Sequence, residues 1–324
     1  MARMLLGVVF LMILAPFPAV SAVPQTRLVI ATEPPNPVVG TFSHDVATKL
    51  AEWLPRAAPG VELTPVPTME FAERLIAEKR AHIGFTNSVL AWEAWHGVEP
   101  FGGSPIRVIR TLTPAFSSVF TFATLEGTGI STVADLRGKR VGFLLPAFPQ
   151  RQSRRILQAA GLDPDRDIRK EEMAFPAILT ALAARRIDAF GVGSPPIVAL
   201  QVWIDMAITT GAQWRLVPTD TVLPALRRQF GNAYQRVVYQ REFLPGLPAD
   251  VPTAGFAGLV IVHEEMSPEV AYQITKLIYE NRRELAQAHR LAQFITFLGA
   301  ADRSPIPYHP GAIRYFKERG VEGF

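Results

Sequence analysis

The chain has 324 residues, of which 48% are hydrophobic and 19% charged, with a formal net charge of +4 and no cysteine. This composition excludes a disordered polypeptide, a disulfide-stapled fold and any thiol chemistry. The charge is spread along the chain with no Lys/Arg block interleaved with aromatics, so no nucleic-acid partner is expected, and the length suits two domains of ordinary size.

The N-terminus reads as a secretory signal over residues 1–22. Arg3 supplies a short basic region, residues 4–14 form an uncharged apolar run, and Val20-Ser21-Ala22 offers small residues for cleavage after Ala22. The alternative is a membrane anchor, but the run is shorter than the ~20 apolar residues a spanning helix needs. No cysteine precedes the mature start, which excludes a lipoprotein anchor, and the expected location is periplasmic.

Residues 27–32 predict a first strand, followed by a proline-rich loop that ends in Gly40-Thr41-Phe42-Ser43. Val46, Leu50, Trp53 and Leu54 mark the apolar face of a helix that Pro55 closes. A second strand covers residues 61–66, and Thr68 caps a helix predicted over residues 69–79. A third strand stops at Thr86-Asn87-Ser88, and residues 106–122 form an extended crossing interrupted by Pro114.

Residues 135–196 form the most complete unit. A charged turn, Asp135-Leu136-Arg137-Gly138-Lys139-Arg140, feeds a short apolar strand over residues 141–145. A proline-rich loop over residues 146–149 leads to a helix with Ile156, Leu157 and Ala160 on one face and Gly161 at its C-terminal cap. After a polar connection, Phe175, Ile178, Leu179 and Leu182 repeat at helical spacing, and residues 187–192 form a strand that stops at Gly193-Ser194-Pro195-Pro196. The pattern then predicts a helix over residues 197–208, a strand over 214–217, a helix over 223–230 and a second extended run over 253–262. A long helix over residues 269–287 and a last one running through Arg319 complete the chain.

Strand, loop, helix, strand is the grammar of a parallel α/β sheet, in which ligands gather at the C-terminal ends of strands. Two such units joined by two extended crossings imply a bilobed shape with a ligand cleft between the lobes. Lobe 1 is expected over residues 23–121 and 253–324, and lobe 2 over residues 122–252.

Asn87 and Ser88 sit at a strand end facing the expected cleft, and the alternative for both is a turn that satisfies its own backbone. Thr68 reads equally as a cap and as a contact. Phe42 and Phe148 are candidates for pocket walls, against the ordinary role of an aromatic in the core. Arg151, next to a helix N-terminus, is either a bidentate partner for a carboxylate or phosphate or a solvated first-turn residue. His263-Glu264-Glu265 lacks the second histidine of a zinc helix, and Ser194 has Val192 and Pro196 where a nucleophile elbow needs glycines. No phosphate-binding glycine loop occurs, so no metal, cofactor or catalytic residue is nominated.

Three stretches carry a resemblance. They are Pro307-Tyr308-His309-Pro310-Gly311-Ala312 followed by Tyr315-Phe316-Lys317-Glu318-Arg319-Gly320; the Asp135 turn with Ile156-Leu157-Gln158-Ala159-Ala160-Gly161-Leu162 after it; and Ile187-Asp188-Ala189-Phe190 running into residues 191–195. In this order they cover nearly the whole mature chain, and it resembles the TAXI proteins, solute receptors of tripartite ATP-independent periplasmic (TRAP) transporters. The resemblance implies a non-enzymatic type II periplasmic binding protein that closes on a small organic anion of the dicarboxylate, oxo acid or amino acid class. A TRAP-type membrane permease would receive the solute. Binding loops carried over from the family fall on Gly40, Thr41 and Phe42, on Thr68, on Asn87 and Ser88, on the loop with Phe148 and Gln150, and on Gly193 and Ser194. The sequence departs from the family at Thr68-Met69-Glu70, at Gly40-Thr41-Phe42-Ser43 and at Ala147-Phe148-Pro149-Gln150-Arg151. Glycines that let backbone N–H groups approach an anion are lost there, with Arg151 as the candidate replacement. The rival readings are a periplasmic sensor subunit and an enzyme built on the same fold.

Overall fold

A computed structural model describes residues 26–35, 41–145, 147–195, 211, 213–243 and 247–324. The expected signal segment, Gly40 and the helix expected over residues 197–208 lie outside the described residues.

The first lobe is a parallel α/β unit. β1 (Thr26–Thr32) lies between β2 (Val61–Pro67) and β3 (Ile83–Asn87), with all three parallel. α1 (Phe42–Ala57) follows β1, α2 (Ala72–Ala77) follows β2, and α3 (Ser88–His96) follows β3. The chain then leaves on β4 (Ile109–Leu125), a strand of 17 residues.

In the second lobe β5 (Arg140–Leu144) pairs in parallel with β6 (Arg169–Met173) and with β7 (Ala189–Ser194). α4 (Ala147–Ala159) and α5 (Phe175–Ala183) connect them. β8 (Trp214–Val217) pairs with the end of β4, α6 (Leu223–Phe230) comes next, and β9 (Gln235–Tyr239) pairs with the start of β10 (Val251–His263). β10 carries the chain back. α7 (Pro268–Glu280), α8 (Arg282–Ala288) and α9 (Pro310–Glu318) then cover the first lobe.

β4 and β10 are the two expected crossings. β4 pairs with β10 up to Ser118 and with β7 from Val119 onward, while β10 pairs with β9 up to Gly255 and with β3 and β4 beyond it. Pro114 lies inside β4 opposite Leu259, next to a register shift between Ala257 and Leu259. A proline cannot donate to a ladder, so the irregularity is where one is tolerated. The result is a bilobed periplasmic binding protein type II architecture, two α/β lobes joined by two crossing strands.

Each lobe has its own core. Ile30, Leu50, Leu54, Ile83, Val262, Ile274, Ile278 and Phe316 pack in the first, and Phe122, Val141, Phe143, Ile156 and Leu157 in the second.

Several elements differ from the sequence expectation. α2 starts at Ala72 with Phe71 at its cap, and Thr68 instead accepts the Glu70 N–H in a local turn at 3.0 Å. α4 begins at Ala147, before the expected loop has ended. Pro149 fits its first turn because an N–H there has no helical acceptor anyway. β3 runs straight into α3, a helix the sequence reading passed over. α1 continues through Pro55 to Ala57, and the helix expected over residues 269–287 breaks at Asn281. Arg169-Lys170-Glu171-Glu172 has no apolar alternation and so predicts a polar connection, but the segment forms β6, an edge strand, where charge blunts unwanted pairing.

Candidate functional site

A cavity of about 880 Å³ lies where the strands of the first lobe end against the crossing strands. The end of β1 contributes Glu33, and the start of α1 contributes Thr41, Phe42 and Ser43. The turn before α2 brings Thr68, Met69, Glu70 and Phe71, and α2 itself adds Glu73. Phe85, Thr86 and Asn87 come from β3, Phe116 and Ser118 from β4, and Phe256 and Gly258 from β10. Pro195, just past β7, is the contribution of the second lobe among the described residues.

The aromatic wall is interlocked. Phe42 meets Phe116 edge-on at 4.9 Å, Phe85 at 5.9 Å and His289 at 5.7 Å. Gly258 allows this arrangement, since a Cβ there would lie 3.1 Å from the Phe116 ring. His289 is neutral in character. Burial lowers its pKa, and its Nδ1 accepts the Leu291 N–H at 3.1 Å.

Three carboxylates line the cavity, and their surroundings differ. Glu70 is exposed and paired with Arg80 at 2.6 Å, which holds its pKa below the ordinary value. Glu33 is held by its backbone, whose N–H donates to Ser43 Oγ at 3.0 Å, while desolvation raises its carboxyl pKa. Glu73 is 1% exposed, and its carboxylate accepts from the Thr86 hydroxyl. Burial pushes its pKa to about 7 in spite of that bond, with the charge of Glu93 adding to the shift. No lysine or arginine is among the described residues that line the cavity.

Of the residues singled out from the sequence, Thr41, Phe42, Thr68 and Asn87 line this cavity. Asn87 also caps α3, its Oδ1 accepting the N–H groups of Val89 at 3.1 Å and Leu90 at 2.9 Å. Ser88 points away from it. Only 1% exposed, it donates to the Ala233 carbonyl at 2.8 Å and accepts the Ala257 N–H at 3.0 Å. Arg151 turns to Glu93, 3.2 Å away, and lies over the Phe148 ring. Phe148 stands behind the wall, edge-on to Phe256 at 5.6 Å. Gln150 is half-buried on α4 outside the lining. Gly193 packs against Phe120, where a Cβ would come within 2.6 Å of the ring. Ser194 pairs with Val119 at the end of β7, one residue before Pro195, and Gly40 lies outside the described residues.

Sequence reasoning missed Glu33, Glu73, Phe116, Phe256 and His289. Phe116 and Phe256 were legible only as residues of the crossing strands. Glu73 had the look of a solvated helix position, and nothing local marked its burial. Among the described residues no cluster of His, Asp or Glu is arranged for a metal, and no helix is long and apolar enough to cross a membrane.

A family model described as the NMT1-like family matches residues 71–320. Among solved structures, the chain is similar to a periplasmic sulfonate-binding protein of a sulfonate ABC transporter from Methylobacillus flagellatus KT. That match has 13% identity and a TM-score of 0.57, and covers 93% of this chain and 96% of the other. XAC2383 from Xanthomonas citri, solved bound to ATP, matches at 14% identity with a TM-score of 0.52, covering 92% of this chain and 98% of that one. At such identities the likeness establishes the fold.

Proposed function

The chain belongs to the NMT1-like family, and we propose that it is an exported solute-binding protein without catalytic activity. In this reading a small molecule enters the cleft, touches both lobes, and stabilises their closure about β4 and β10. A membrane permease then takes up the closed form, of the TRAP type that the sequence resemblance implies. The observation that carries the reading is the cavity of about 880 Å³ beside the two crossing strands, an ordinary size for a small-molecule site. The lobe boundaries near residues 121–122 and 252–253 fit closure about the same strands.

The anion class implied by the resemblance has less support. Its expected cation, Arg151, is occupied by Glu93.

A thermal-shift screen of the purified protein against dicarboxylates, amino acids, oxo acids, sulfonates and organic amines tests the proposal. A solute at about 100 times its dissociation constant adds ~2.7 kcal/mol of stability. Turnover of a bound compound by the purified protein would sink the binding-protein reading, as would an absence of stabilisation across the whole screen.

A further inference from the structure

Resting on the solute-binding reading, the charge of the solute can be argued from the wall of the cleft. Glu33 and Glu73 both line it, and neither has a lysine or arginine partner among the described residues. Glu73 is 1% exposed and receives only the Thr86 hydroxyl and its own backbone N–H, with no cation beside it, so a full negative charge there is under-compensated. The cations around the wall have partners of their own. Arg80 pairs with Glu70 and Glu78, Arg151 and Arg155 pair with Glu93, and Arg74 lies over the outer Phe71 ring and donates to the Pro100 carbonyl.

Backbone dipoles do not reverse this balance. Two helices of useful length start at the cleft. Asn87 Oδ1 takes the first N–H groups of α3, and α1, which has no side-chain cap, carries the negative charge of Asp45 in its first turn. An anionic solute would therefore meet like charge at Glu33 and Glu73 with little to offset it. A cationic solute would meet two carboxylates and the rings of Phe42, Phe85, Phe116 and Phe256, which attract positive charge through their faces.

We infer that the cleft takes an organic cation: a positively charged nitrogen, placed at Glu73 and Glu33, carried on a small apolar or aromatic body that packs on the phenylalanine wall. A dicarboxylate, a sulfonate or an oxo acid fits it poorly.

A matched set of probes separates charge from shape. Benzylamine and benzyltrimethylammonium share one ring with benzyl alcohol, benzoate and phenylmethanesulfonate, and calorimetric titration of the full chain with all five gives five comparable affinities. The cations are expected to bind at least tenfold more tightly than the alcohol, and the anions more weakly than the alcohol. Glu73→Gln should then weaken the cations at least tenfold and leave the alcohol within about twofold. Glu33→Gln, at the rim, provides the same comparison if the buried substitution impairs folding.

Tighter binding of benzoate or the sulfonate overturns the inference on charge and leaves solute binding intact. Cation binding unaffected by either glutamine variant overturns the assignment of Glu33 and Glu73. A protein that responds only to dicarboxylates or oxo acids in the wider screen keeps the solute-binding reading and removes this inference. One that responds to nothing in either experiment removes both.

Discussion

Arg155 of α4 reaches the fully buried carboxylate of Glu93 on α3 at 2.7 Å, across the boundary between the lobes. Arg151, one turn earlier on α4, reaches the same carboxylate at 3.2 Å. Arg155 also lies over the Phe230 ring at 4.5 Å, and Tyr234, next to it, donates to Gln152 at 2.5 Å. α3 serves both lobes: Ala91 and Ala94 pack in the core of the first, while Val89 joins the core of the second. The ion cluster therefore ties the lobes together behind the cleft wall, and it accounts for the orientation of Arg151.

Removing one partner of a buried pair leaves an uncompensated charge, which typically costs about 3–5 kcal/mol. Removing both arginines is expected to lose stability on that scale. Arg155→Met alone should lose less, because Arg151 still faces Glu93, and Arg151→Met least, because its contact is the longer one and Arg155 keeps both the 2.7 Å contact and the Phe230 ring. Urea denaturation of the double and single variants checks this order, and a double-variant midpoint equal to that of the wild type would remove the cluster from the stability of the fold.

Glu73 makes stability depend on pH. Its carboxyl titrates at about 7 when folded against an ordinary 4.5, so folding takes up a proton between those values. Its contribution is fully present below pH 4.5 and is lost as the pH rises through 7. At 1.36 kcal/mol per unit, the shift corresponds to roughly 3 kcal/mol. Glu73→Gln should thus be more stable than the wild type at pH 8 by about that amount, and nearly equal to it at pH 4. Thermal melts at the two pH values measure the difference. Equal gaps at both would mean that folding leaves the Glu73 carboxyl at its ordinary value.

Ser88 offers a test of a different kind, since it was a candidate contact that the structure turns inward. Its hydroxyl bridges Ala233 of the second lobe to Ala257 of β10, entirely out of water. Ser88→Ala leaves the Ala257 N–H without its acceptor, an expected loss of about 1–3 kcal/mol. Solute affinity should be unchanged. A variant of wild-type stability with weakened binding would return Ser88 to the cleft.

These cases show which parts of the molecule are written locally. The parallel strands of the first lobe were legible because residues 27–32 and 61–66 are short apolar or alternating runs between turns, and the crossing strands because they are long and β-rich. α3 was not, because Asn87-Ser88 after a strand suggests a turn as readily as a cap, and the deciding bonds to Val89 and Leu90 are a matter of geometry. The cleft was legible as a place, at strand ends, but not as a chemistry. Whether Arg151 faces a ligand or Glu93 depends on a residue 58 positions away, and the burial of Glu73 depends on how α2 packs over β3. Long-range packing of this kind leaves no periodic trace in sequence.

The C-terminal motif has a structural reason that a substitution can expose. His309, 1% exposed, caps α9 by accepting the Gly311 N–H at Nδ1, 3.2 Å away, and Pro310 opens the helix where its missing N–H costs nothing. Gly311 then lets α9 meet the start of α7 at backbone distance. A Cβ at that position would lie 2.2 Å from the Pro268 carbonyl oxygen and 2.8 Å from the Tyr272 nitrogen. Those atoms belong to a helix backbone and cannot step aside as a side chain would. Gly311→Ala should therefore separate the two helices and cost at least the 1–3 kcal/mol typical of overpacking. Lys317→Ala, on the exposed side of the same helix, should stay within about 0.5 kcal/mol of the wild type. Parallel urea titrations decide the matter: if Gly311→Ala unfolds at the midpoint of Lys317→Ala, close approach of the two helices is not what the glycine provides.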